Sequence, residues 1–225
     1  MKLSHNEIKK CIEFKENMIN ILVIENHSFF TKIIRELFYQ TSGGNGNFVL
    51  SENLEELIIS KKMDLAIDYF NLSLNSRRIK KELYKRMEAI TVTEEHYLKS
   101  KEIKNDIIKF FYQLEDVIDF DISMNEEFDF KDLFKALKVK INENDYSFSE
   151  NIIKYIIVSE KFLGIELFIF VNLKSFLDEK DLSLFYEFVF YNKHNILLIE
   201  STDNKILAQE NKIIIDKDLC EIWYN

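Results

Sequence analysis

The sequence predicts an α/β fold, a mostly parallel and covered sheet whose two halves are separated in the chain by an α-helical insertion. Three observations carry this. The unbroken apolar run Ile21 to Ile24 and the strand-like segments "IELFIFVN" (165 to 172) and "NILLIES" (195 to 201) have the composition of strands buried on both faces. The last two flank "DEKDLSLFYEFVFYN" (178 to 192), and strand, helix and strand of these lengths make a parallel crossover. Between the two sets of strands, residues 76 to 137 turn into long, charged, amphipathic helix. The predicted organisation is therefore 1–75 as the first part of an α/β head, 76–137 as a helical insertion and 138–225 as the second part of the head.

Along the chain, the strand Ile21 to Ile24 leads into a helix with Phe30, Ile33, Ile34 and Leu37 at helical spacing and Asn26 or Ser28 available as its cap. In an NTPase the intervening turn would be glycine-rich and end in Lys-Ser/Thr. Here Glu25-Asn26-His27-Ser28 puts a carboxylate where a phosphate would lie. "TSGGNGN" (41 to 47) holds three of the four glycines but precedes a short strand, Phe48 to Leu50, with no Gly-Lys-Ser/Thr, so it is a turn. "DLAIDYFNLSLN" (64 to 75) predicts a second buried strand with a polar end. Two apolar stripes mark the insertion, one through Ile79, Leu83, Met87 and Ile90, the other through Ile103, Ile107, Phe110, Phe111, Leu114 and Ile118. "FKDLFKALKVKI" (130 to 141) predicts a helix running into an extended segment. A helix over 150 to 162 follows, with Ile152, Ile153, Ile156 and Ile157 on its apolar side. Asp178 caps the helix over 178 to 192, and residues 212 to 225 supply a last apolar strand and an amphipathic tail.

With 47% apolar and 14% aromatic residues in 225, the chain can bury a sizeable core. Cys11 and Cys220 stand far apart, and His5, His27, His96 and His194 lack ligand spacing, which argues against a zinc site and a disulfide framework. The cysteine usage, the lack of a signal-peptide core and the lack of a membrane-length apolar run lead us to expect a cytoplasmic protein with no membrane partner. The net charge of -9 is unevenly spread. Residues 115 to 132 hold eight acids against one base, and residues 77 to 86 hold six bases against one acid.

Each charged segment supports a site. Glu115 and Asp119 share a helix face, and Asp121, Glu126 and Glu127 follow in the adjoining loop. Clustered carboxylates of this kind suit calcium, a hard cation needing six to eight oxygens; a solvated acidic turn is the competing reading. Arg77, Lys81 and Lys85 form an i, i+4, i+8 stripe flanked by Arg78, Lys80 and Arg86, with Ile79 and Leu83 turned away to pack. The stripe can neutralise phosphates without reading bases, or it is a solvated helix face. A rival reading is a magnesium-dependent nuclease, with Asp119 or Asp121 joined by Asp129 and Lys131 as an acid-x-Lys set, although Lys131 opens a helix and does not end a strand.

Five stretches carry a family resemblance: "ILVIENHSFFTKIIRELF", "DLAIDYFNLSLNS", "FKDLFKALKVKI", "LFIFVNLKSFLDEKDLSLFYEFVFYNKHNILLIES" and "KIIIDKDLCEIW". In this order and spacing the chain resembles the ring-forming, DNA-end-binding Csn-family protein of type II-A CRISPR systems, which serves spacer acquisition. The resemblance implies a P-loop-ATPase-like head that has lost its nucleotide loop, with a helical leg. It further implies a homotetrameric ring that binds the ends of linear double-stranded DNA and is ordered by calcium (Ca2+), with no enzymatic activity and no nucleotide. The partners it implies are the CRISPR integrase complex and the RNA-guided effector nuclease. Lys32 and Arg35 fall in the first of these stretches and join Arg77, Arg78, Lys81 and Lys85 as expected DNA contacts. One departure concerns the metal ligands, since the spacing from Asp121 to Glu126 and Glu127 is longer than the family leads us to expect.

Overall fold

The computed structural model describes residues 1–118, 120, 123–143, 146–204, 207 and 209–224, the side chains of Asp116 and Tyr224 excepted. The chain begins with a hairpin that was not predicted, β1 (Lys2–His5) and β2 (Ile8–Glu13), which turns Leu3, His5, Ile8 and Ile12 inward. Strand β3 (Ile19–Ile24) follows, two residues longer than predicted and buried at all six positions. Its one polar residue, Asn20, is satisfied: it donates to the Glu13 carbonyl at 3.2 Å and accepts from Asn211 at 2.8 Å. Helix α1 (His27–Thr41) is capped by Asn26, whose side chain accepts from the Phe29 amide at 3.0 Å and donates to the Lys217 carbonyl at 2.9 Å.

The glycine-rich turn then serves packing. Gln40 donates to the Phe48 carbonyl and accepts from the Phe48 amide, both at 3.0 Å, and a β-carbon on Gly46 would stand 2.5 Å from its Oε1. Beyond it come β4 (Phe48–Glu52), β5 (Glu55–Leu57), α2 (Ile59–Lys62), β6 (Met63–Ala66) and a 3-10 turn at Tyr69–Asn71. The predicted strand over 64 to 75 thus ends at Ala66. Asp68 stops it by capping the turn through the Phe70 amide at 3.1 Å.

The helical region comprises α3 (Arg77–Thr91), α4 (Glu94–Ile118) and α5 (Phe130–Ala136). It is followed by α6 (Phe148–Leu163), β7 (Leu167–Val171), a 3-10 turn at Leu173–Ser175, α7 (Glu179–Asn192), β8 (Asn195–Glu200), β9 (Glu210–Ile215) and β10 (Glu221–Tyr224). Ser147 and Glu150 form a capping box at the start of α6, and Gly164 ends that helix at φ 69°, a conformation that only glycine adopts without cost. Asp178 caps α7 by accepting from the Asp181 amide at 2.8 Å. The predicted amphipathic tail is a strand, β10.

The chain divides into two units, Met1–Leu74 with Glu143–Asn225, and Asn75–Asn142. In the larger unit a six-stranded sheet runs β10-β9-β3-β8-β7-β6, parallel except for the β10 edge, and both halves of the sequence contribute to it. A second, antiparallel sheet runs β2-β1-β4-β5. Residues alternate between the faces of the large sheet, as the two-residue period of a strand requires. Ile21, Val23, Phe168, Phe170, Ile196 and Leu198 pack with Ile152 and Ile156 of α6 and Leu182, Phe185 and Val189 of α7. Leu22, Ile24, Ile169, Leu197 and Ile199 face the other way, onto Phe29, Ile33 and Leu37 of α1 and onto Leu3, Ile12 and Leu50 of the small sheet.

In the smaller unit, α5 ends at Ala136 and Lys138 takes the left-handed conformation, φ 51°. The chain then runs extended through residues 139 to 141. Tyr84 of α3 donates to the Val139 carbonyl at 2.8 Å, and Asn75 exchanges two 2.9 Å bonds with Ile141. These bonds are why the unit extends to Asn142. Of the two predicted apolar stripes only Ile79 is fully buried. Phe110, Phe111, Leu114 and Ile118 of α4 remain exposed.

Candidate nucleic-acid interface

The basic stripe of α3 is one wall of a cavity. Arg77, Lys80, Lys81 and Lys85 line it together with Tyr84, and opposite them stand Lys131 and Lys135 of α5 with Lys138, Val139 and Lys140 of the segment after it. All ten residues belong to the smaller unit, and the cavity has a volume of about 950 Å³. Helical spacing builds both walls: Arg77, Lys81 and Lys85 recur every four residues, as Lys131 and Lys135 do. The walls are held together by the Tyr84 bond to Val139 and by the aromatic contact of Tyr84 with Phe134, 6.1 Å between ring centroids.

Among the described residues, eight cations therefore face one concavity, and none of its described lining residues is acidic. Three of them reach carboxylates just outside: Lys131 pairs with Glu88, Lys135 with Asp132 at 2.9 Å, and Lys85 with Glu82 at 3.9 Å. The Glu88 hydrogen bond raises the Lys131 pKa and keeps that side chain charged. Arg77, Lys80, Lys81, Lys138 and Lys140 have no carboxylate within ion-pair distance among the described residues. Like charges gathered in this way repel one another until an anion enters, so the arrangement is suited to phosphate.

Of the six residues predicted to contact DNA, Arg77, Lys81 and Lys85 line the cavity, and Arg78, on the same helix, does not. Lys32 and Arg35 lie on α1 of the larger unit. Lys32 is paired with Glu7, and Arg35 is exposed. The second wall was missed in the sequence although its signal was there: Lys131, Lys135 and Lys138 are spaced four and three apart, one helical face within a stretch otherwise notable for its family resemblance.

Of the five predicted metal ligands, Asp119 and Asp121 lie outside the described residues. Glu115 stands on α4, half-buried, and Glu126 and Glu127 are exposed in the following loop. The Tyr112 phenol donates to Glu126. Its pKa is raised by that bond first, then by burial and by the charges of Glu126 and Glu115. Among the described residues no group of three or more acidic, histidine or cysteine side chains is placed to hold a metal ion. In the rival acid-x-Lys set, Asp129 is the N-cap residue of α5 and Lys131 is engaged by Glu88. Among the described residues, no helix is long and apolar enough to cross a membrane.

The larger unit contains a buried charged cluster on the α7 side of its sheet. Lys174 pairs with Glu210 at 2.6 Å, and Tyr186 donates to the same carboxylate at 2.7 Å. Glu200, at the end of β8, accepts from the Lys174 amide at 3.1 Å through Oε1, whereas its buried Oε2 has no hydrogen-bond partner among the described residues. Burial pushes its pKa up to about 7.

A family model described as CRISPR-associated protein (Cas_Csn2) matches residues 40–219, four-fifths of the chain. The match spans both units, including α3, α5 and every lysine of the basic cavity. The chain belongs to the Cas_Csn2 family of CRISPR-associated proteins, the Csn2 proteins of type II-A systems, whose role is in CRISPR adaptation.

Proposed function

We propose that this chain binds the ends of double-stranded DNA without regard to sequence, as a calcium-ordered homotetrameric ring, and performs no chemistry of its own. The observation that carries the DNA reading is the basic cavity: its exposed rim, Arg77, Lys81, Lys85, Lys135, Lys138 and Lys140, gathers six cations that can meet phosphates along a duplex. Contacts to phosphate position a duplex and carry no sequence information. The homotetramer draws support from the uncovered apolar face of α4, because exposed Phe110, Phe111 and Ile118 gain by burial against another surface. Calcium, held by Glu115, Glu126 and Glu127 with Asp119 and Asp121, would stabilise the assembly by binding only its folded form.

The head reads as P-loop-ATPase-like with its phosphate loop lost. The central strand β3 feeds α1 through only Glu25 and Asn26, and the Asn26 side chain takes the amide of Phe29, the third residue of the helix. That turn has neither the length nor the glycines to wrap a phosphate. In this reading the protein hands DNA ends to the CRISPR integrase complex and works alongside the RNA-guided effector nuclease.

The test is a gel shift on linear and closed-circular duplex, with light scattering, in calcium and in chelator. A calcium-dependent tetramer that shifts only linear DNA supports the proposal, and Arg77→Glu with Lys81→Glu should weaken binding to all sequences alike. A monomer that ignores DNA, or magnesium-dependent cleavage, refutes it.

A further inference from the structure

The cavity has an interior as well as a rim. Lys80, Lys131, Tyr84 and Val139 are half-buried, whereas Arg77, Lys81, Lys85, Lys135, Lys138 and Lys140 are exposed. Its volume of about 950 Å³ equals a cube roughly 10 Å on edge and falls within the ~300–1,000 Å³ of small-ligand pockets. A duplex, whose major groove alone is about 12 Å wide, can rest on such a rim but cannot enter. Whatever reaches Lys80 and Tyr84 is narrower than a duplex.

The interior chemistry defines that ligand further. Lys80 has no carboxylate partner among the described residues, so a buried anion would gain its charge without displacing an existing ion pair. Tyr84, Val139 and the aliphatic stems of the lysines supply apolar wall beside the charges. The Tyr84 hydroxyl is committed to the Val139 carbonyl, which fixes the ring in place as part of that wall. An aromatic wall next to converging cations is the combination on which single nucleotides are held, the base against the ring and the phosphates on the lysines.

The geometry points to a nucleotide seat inside the helical unit: the cavity takes a phosphate-bearing nucleotide narrower than a duplex, offered either as the unpaired last residues of a DNA end or as a free nucleoside polyphosphate. This rests on the DNA-end reading for the first source and is independent of it for the second. The seat is separate from the strand-to-helix turn of the larger unit, where a P-loop protein would hold its nucleotide.

The experiment uses the full chain and the variant Lys80→Gln, which leaves every rim cation in place, both checked by circular dichroism for an unchanged helical content. The probes are blunt duplex, the same duplex with a three-nucleotide tail, ATP and inorganic tripolyphosphate, followed by fluorescence anisotropy for the DNA and by thermal shift for the small anions. We expect the wild type to bind tailed duplex or ATP with a dissociation constant below about 1 mM, the lower edge of useful affinity, and the variant to lose at least tenfold for that probe while blunt duplex changes less than about threefold. Tripolyphosphate binding as tightly as ATP would remove the base from the seat and overturn the nucleotide assignment. Equal losses for blunt and tailed duplex would make the interior part of the duplex face, which overturns the seat and leaves the DNA reading standing. A wild type that binds ATP through Lys80 and ignores every DNA would uphold the seat with its free source and refute the DNA reading.

Discussion

Replacing Glu200 by Gln should flatten the pH dependence of stability of the larger unit. The carboxyl is 1% exposed at the end of β8. Burial drives its pKa from 4.5 to about 7; the Lys174 amide and charge pull the other way, and the negative charge of Glu210 adds to the rise. A folded value above the unfolded one means that the folded chain holds the proton more tightly. The penalty is therefore absent below about pH 4.5, grows as the pH climbs through the interval and is complete above about pH 7. A rise of about 2.5 pH units at ~1.36 kcal/mol each makes that penalty ~3 kcal/mol. Gln keeps the size and the Oε1 acceptor and never ionises. Any cost of placing its amide there is the same at every pH, so the slope is the quantity to compare. Trp223, the single tryptophan, lies on β10 of the larger unit and reports its unfolding in urea by fluorescence. From pH 5 to pH 8 the wild type should lose ~2–3 kcal/mol relative to the variant. Parallel curves would show that Glu200 ionises freely in the folded state, with a polar partner for Oε2, and would refute the reasoning.

Two further outcomes follow from the same geometry. Calcium at 100 times its dissociation constant should stabilise the wild type by ~2.7 kcal/mol and leave Glu115→Ala with Glu126→Ala unaffected in thermal melts with and without chelator; equal stabilisation of both would place the ion elsewhere. Asn26→Ala should cost ~1–2 kcal/mol of folding free energy by urea titration, because it removes both the cap of α1 and the bond to the Lys217 carbonyl; a loss below ~0.3 kcal/mol would mean that water replaces both bonds.

The strands were legible where burial is two-sided. Ile21 to Ile24, Leu167 to Val171 and Ile196 to Ile199 are apolar without a break because α1 and the small sheet cover one face of the large sheet and α6 and α7 the other. The hairpin of β1 and β2 escaped notice because only one of its faces is buried. Leu3, Ile8 and Ile12 are interspersed with Lys2, Lys9, Lys10 and Glu13, and strands of four and six residues leave little room for a period to show. Ala66 marks another limit, since the apolar residues after it, Tyr69 and Leu74, are buried from a 3-10 turn and a loop. Composition records burial there and not the backbone that achieves it.

The candidate site divides in the same way. By itself the sequence determined the α3 stripe, because Arg77, Lys81 and Lys85 follow from helical spacing alone, and it determined the absence of glycine between β3 and α1. The Csn2 family membership was also legible there, in the order of five stretches. Only the tertiary structure decided that the stripe is half of a cavity. Lys131, Lys135, Lys138 and Lys140 come from a segment some fifty residues further on, and they face α3 because Lys138 turns left-handed and Tyr84 and Asn75 tie residues 139 to 141 back along it. Spacing along one helix is a local property that sequence carries. The closing of two walls around a void depends on long-range bonds, which no local pattern encodes.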